Sequence, residues 1–204
     1  MMKSLPLALA FLVGTYLYGS SGLHARGHHI PVAPTEILSG GDHLLYGKGG
    51  DGKVQIEDGT LFDVHEADAS KVSKWKYGDV IAISPNPYPG GGSEFYITHA
   101  EKKEYVHANL YSKPNRSSDY TLYIYHLDPF DGHIELRSKD EVLEWQIEKK
   151  DLEHIGVWEE GDRVIIGKND MWYARLFSSC RHILVNCDKQ RKTTYLRIKP
   201  YVKK

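Results

Sequence analysis

The sequence predicts an all-β protein made of two tandem small barrels of SH3-like or OB-like type, related by internal duplication. Two observations carry that prediction. One pattern is written twice, because residues 62–86 align without a gap with residues 145–169. Around it, short runs of β-branched and aromatic residues alternate with turn residues, and the composition is rich in Tyr (14) and Gly (19) but poor in Met (3).

The repeated pattern explains its own elements. Its identities are Asp68 with Asp151, Trp75 with Trp158, Gly78 with Gly161, Asp79 with Asp162, Ile83 with Ile166 and Asn86 with Asn169. Phe62 and Val64 alternate on one strand face, and Trp145 and Ile147 do so in the second copy. Val72 and Trp75 are three apart, the spacing of one helical turn that Asp68 is placed to cap. Trp75 and Trp158 then fall where that turn meets the next strand, and core positions suit them. Each Gly-Asp pair marks a turn: glycine accepts positive φ, and the aspartate bonds the local backbone as an apolar strand begins. The repeat core is therefore Phe62, Trp75, Gly78, Asp79, Trp145, Trp158, Gly161 and Asp162. Flanking segments, VQIEDGT (54–60) and FYITHAEKKEYVHANL (95–110) with their counterparts at 133–141 and 183–198, bring each module to five strands.

The chain divides accordingly. Residues 1–25 read as a signal peptide, with Lys3 before an uncharged apolar run (Leu5 to Tyr18) and small residues after it. That run is too short to span a bilayer, so no membrane span is expected after cleavage. Residues 26–52, rich in Gly, Pro and His, are expected to be flexible. Module 1 occupies 53–112, a linker with one strand 113–130, and module 2 residues 131–204. On the linker strand, Tyr123 and Tyr125 share one face, to pack between modules or to present rings to a ligand.

Charge excludes one partner class. The chain carries 26 Lys and Arg against 27 Asp and Glu, which leaves no electrostatic footprint for nucleic acid. Catalytic signatures are missing too: HExxH, paired Cys-x-x-Cys, G-x-S-x-G and a P-loop do not occur, and the G-x-G-x-x-G spacing at Gly47, Gly49 and Gly52 belongs to loop glycines without a following helix. Cys180, His182 and Cys187 match no standard zinc spacing. Cys180 and Cys187 are the only cysteines, and their spacing leaves a disulfide and two free thiols equally open. No cofactor is expected. One metal candidate stands apart. Cleavage after Ala25 would expose Arg26-Gly27-His28, whose amine, backbone amides and imidazole offer Cu(II) or Ni(II) a tetragonal nitrogen site.

The entry Asp58-Gly59-Thr60-Leu61-Phe62 followed by Trp75 to Ile83, with Trp145 and Trp158 to Ile166 in the second copy, resembles a module of small exported bacterial proteins of unassigned function. Copy two departs from it, since its entry reads Lys139-Asp140-Glu141 without glycine. The resemblance implies a fold type and an exported life, with no activity attached. The functional expectation is an exported, non-enzymatic binding or structural protein of the envelope or extracellular space. Its ligand would be a peptide, glycan or protein. The alternative is an envelope hydrolase whose active site carries no known motif.

Overall fold

The computed structural model describes residues 40–203 apart from 50, 89–91, 140, 171–173, 175–177 and 190–194. The signal segment and the His28 candidate lie outside the described residues. The chain forms two closed antiparallel barrels of six strands each. The first comprises β1 (Asp42–Lys48), β2 (Lys53–Ile56), β3 (Leu61–Val64), β4 (Val80–Pro85), β5 (Phe95–His99) and β6 (Tyr105–Ser112), closed in the order β1-β2-β3-β6-β5-β4. The second comprises β7 (Leu122–Leu127), β8 (His133–Arg137), β9 (Val142–Ile147), β10 (Arg163–Lys168), β11 (His182–Asn186) and β12 (Tyr195–Pro200). Its order, β7-β8-β9-β12-β11-β10, follows the same path.

The strand count corrects the sequence reading, which gave each module five. The sixth strand comes from segments placed outside the modules. β1 lies in the stretch expected to be flexible, and β7 is the expected linker strand. Both are short apolar runs beside turn-rich sequence, and their strand character depends on a partner far along the chain. Leu45 and Ile124 are buried in the two cores, at 1% exposure each.

The repeated residues do matched work. Gly78 and Gly161 take φ of 84° and 88°. Gly78 N–H donates to the Leu45 carbonyl at 2.8 Å, and Leu45 N–H returns a bond to the Asp79 carbonyl at 2.9 Å. In the second barrel Gly161 bonds Ile124 at 2.7 Å and Ile124 bonds Asp162 at 3.0 Å in the same sense. The Gly-Asp turn therefore stitches the fourth strand of each barrel to its first. The aspartate side chains fix the turn. Asp79 accepts the Lys76 N–H at 2.6 Å and contacts the His99 ring at 2.8 Å. Asp162 accepts the Glu159 N–H at 3.0 Å and the Asn186 amide at 2.8 Å.

The expected cap is corrected as well. Asp68 makes no side-chain cap bond, and His65 accepts from Ala67 instead. Asp68 reaches across to the last strand, where it accepts the His107 N–H at 2.9 Å. Asp151 does the same with the Arg197 N–H at 2.7 Å. Each carboxylate thus satisfies a strand donor and ties the helical turn to the barrel wall. Trp75 and Trp158 sit behind these turns, buried with Phe62 and Trp145. Trp75 Nε1 donates to Glu104 at 2.7 Å, whereas Trp158 Nε1 is buried without a partner among the described residues.

The barrels dock through equivalent strands, β4 and β10. Along β10, Val164 and Ile166 face the second core, while Ile165 joins the first core together with Ile183, Val185 and Cys187. β10 and β11 are therefore covered on both faces, which accounts for their continuous apolar runs. A glycine permits the contact: a Cβ on Gly167 would stand 2.4 Å from the Ile83 carbonyl oxygen. Gly167→Val is expected to force the strands apart and cost about 1–3 kcal/mol. Denaturant unfolding reads this directly, and an unchanged midpoint would contradict the close approach.

Candidate functional site

Both barrels carry a bulge at the seam. The register of β1 against β2 shifts between Leu45 and Gly47, and that of β7 against β8 between Ile124 and His126. The displaced residues are Tyr46 and Tyr125, each directly after the residue that bonds the Gly-Asp turn. A bulge re-aims its side chain, and these two rings point outward, 38% and 49% exposed. Tyr46 lies against Tyr77, with ring centroids 5.4 Å apart. Tyr125 lies under a cation, with the Arg137 guanidinium 3.6 Å from its ring centroid.

Around Tyr125 the seam opens into a groove of about 540 Å³. β7 and β8 supply Tyr123, Tyr125 and Arg137; the segment before β7 supplies Arg116, Ser117, Ser118 and Asp119; the turn before β10 supplies Glu160 and Gly161. Tyr123 Oη donates to the Arg116 carbonyl at 3.0 Å, which fixes one wall. Lys139 pairs with Asp119 at 3.1 Å, and Glu160 lies 3.2 Å from His126. Arg116 and Arg137 are both exposed and form no ion pair with any described residue. Of the two places open to the linker tyrosines, Tyr125 takes the solvent-facing one, and Tyr123 lines the groove beside it.

A second groove, of about 640 Å³, lies on the first barrel and is acidic, with Asp51, Asp63 and Glu66 beside His65 and Asn109. Among the described residues no group of His, Cys, Asp and Glu is arranged to hold a metal ion.

A buried titrating cluster lies elsewhere, where the two barrels meet. His43 Nδ1 meets Glu57 Oε1 at 2.7 Å, and its Nε2 meets the Ile166 carbonyl of the other barrel at 2.8 Å. With an acceptor at each nitrogen, both nitrogens donate and the ring is an imidazolium. Burial by itself lowers the His43 pKa, but the Glu57 carboxylate, helped by Asp58, outweighs it and the value rises to about 9. Asp58 is raised to about 6 by burial and by the Glu57 charge, against the Thr60 N–H that bonds it at 2.8 Å. His43 is 3% exposed, so this cluster cannot meet a substrate. Sequence reading missed it. Its only trace was an acidic Glu57-Asp58 pair at a turn where one turn residue would serve.

The remaining sequence candidates are structural. Phe62, Trp75, Trp145 and Trp158 belong to the two cores, and Gly78, Asp79 and Asp162 hold the seams. Gly161 alone of the repeat residues borders the groove. Cys180 and Cys187 are free and buried, which corrects the disulfide alternative. They lie at opposite ends of β11, and the strand holds them apart. Burial pushes both thiols above their ordinary value, which removes thiolate character from a would-be nucleophile.

Compared with protein-family models, with curated proteins and with solved structures, the chain finds no match.

Two measurements follow from this geometry. His43 carries a pKa raised from 6.5 to about 9, so its contribution is full below pH 6.5 and is lost as pH rises through about 9. Unfolding free energy should fall across that window by about 3 kcal/mol, and His43→Gln should flatten the slope. The raised Asp58 acts in the same direction at lower pH, with stability lost as pH rises through about 6. Thiol labelling of denatured, unreduced protein should find both Cys180 and Cys187 reactive; a single unreactive pair would restore the disulfide.

Proposed function

We propose that this chain is an exported, non-enzymatic binding protein of the cell envelope or extracellular space, built from two copies of one SH3-like unit. The observation that carries this reading is the seam groove of the second barrel, where a bulge holds Tyr125 outward beneath Arg137. A concave surface with an aromatic face and a few convergent polar groups suits a ligand. The groove's carboxylates, Asp119 and Glu160, are paired with Lys139 and His126, and neither sits in an apolar setting that would tune an acid or base for catalysis. The strongly shifted groups are engaged elsewhere: His43 bonds across the joint between the barrels, and Asp68, Asp188 and Arg197 are held in ion pairs with Lys71, Arg163 and Asp151.

Further support comes from the sequence. The basic, apolar and small-residue order of 1–25 favours export, and the resemblance to small exported modules agrees with it. The matched seam, turn and carboxylate contacts favour duplication of one unit. An SH3-like surface typically binds through its loops, a warrant by analogy of fold.

A ligand screen of the mature protein against glycan fragments and envelope extracts tests the reading. A retained ligand should lose about tenfold in affinity in Tyr125→Ala, while the melting midpoint stays unchanged, as for an exposed position. A ligand whose affinity is indifferent to Tyr125 would place binding elsewhere.

A further inference from the structure

We propose that the seam groove takes an acidic glycan, a uronate-bearing polysaccharide whose carboxylates pair with Arg137 and Arg116 and whose sugar faces lie on the tyrosines. This deepens the binding reading above and rests on it.

The charges in the groove point to an anion. Three cations border it, and two carboxylates do. Lys139 is engaged with Asp119, and Glu160 with His126. That leaves two guanidiniums without a carboxylate partner among the described residues, in a chain whose formal net charge is −1. The local excess therefore runs against the charge of the whole. A guanidinium presents a planar fork of N–H donors that matches a carboxylate bidentately. Contact with the Tyr125 ring at 3.6 Å restrains the Arg137 guanidinium. Less side-chain freedom is then lost when a carboxylate arrives.

Closure of the sheets argues against one class of peptide. Peptides that bind by strand addition need a free sheet edge. Both barrels here are closed, and closure removes such edges. The groove is open to solvent, and Ser117, Ser118 and Ser138 are among the residues that line it. Aromatic faces beside hydrogen-bonding groups fit a pyranose, which is apolar on its faces and polar at its edge.

Titration calorimetry on the mature chain tests the proposal with four probes: an oligogalacturonate, a neutral galacto-oligosaccharide of equal length, poly-glutamate and oligodeoxythymidylate. The oligogalacturonate should bind about tenfold or more tighter than the neutral sugar, with affinity falling as salt rises. Arg137→Gln and Arg116→Gln should each cost about tenfold, and Arg137→Lys, which keeps the charge but loses the fork, should recover only part. Both arginines are exposed, so circular dichroism and melting should match the wild type. Equal binding of acidic and neutral sugars, abolished by Tyr125→Ala, overturns the acidic class and leaves the groove reading standing. Poly-glutamate or oligodeoxythymidylate binding as tightly as the oligogalacturonate overturns the glycan. Binding unaffected by any of these substitutions, or no binding of any probe, overturns the proposal, and the former removes the groove reading with it.

Discussion

Each barrel closes where its first strand pairs with its fourth, and two backbone hydrogen bonds between a Gly-Asp turn and one residue of the first strand extend that pairing. Leu45 meets Gly78 and Asp79; Ile124 meets Gly161 and Asp162. Only there does the sheet return on itself, and an unclosed six-stranded sheet would expose two rows of unpaired donors and acceptors. Positive φ at the glycine turns the chain so that its N–H reaches back to the first strand. The aspartate carboxylate then holds the turn against the end of the fifth strand, through His99 in one barrel and Asn186 in the other. A pair of motif aspartates that could pass for catalytic carboxylates is thus accounted for by closure.

The seam also creates the surface features. Immediately after the stitched residue the register slips, and a tyrosine is turned outward in each barrel. The shared geometry then diverges in chemistry. In the first barrel Tyr77 follows Lys76 and packs on Tyr46; in the second, Glu160 occupies the position of Tyr77 and Arg137 covers Tyr125 instead. One framework therefore carries an aromatic pair at one seam and an aromatic-cationic groove at the other.

The joint between the barrels follows a different logic. It combines a close backbone approach at Gly167 with a buried imidazolium whose two donors are divided between the barrels. Breaking one partner of a buried charge pair leaves the other unsatisfied, so the His43 contacts favour one relative placement of the barrels over slipped alternatives. Lys168 and Asp42, paired at 2.6 Å, add a second charged contact across the same joint.

What the sequence determined by itself was the unit: an all-β chain, two modules, the strand faces of Phe62, Val64, Ile81 and Ile83, the burial of Trp75 and Trp158, and the Gly-Asp turns. These are local properties, set by alternation over a few residues and by the conformations that glycine and aspartate allow. The tertiary structure alone decided the sixth strand of each barrel, the role of Asp68 and Asp151, the buried His43 and the groove. Each depends on groups far apart in the chain: His43 meets Glu57 across 14 residues and Ile166 across 123, and Asp151 meets Arg197 across 46. Tyr125 shows where the boundary falls. Its strand was legible from alternation, but its outward aim comes from a slip in pairing with β8 and its cation from Arg137, and neither leaves a trace in the order of residues. A strand's own residues fix which side chains share a face, whereas only the partner strands fix what that face meets.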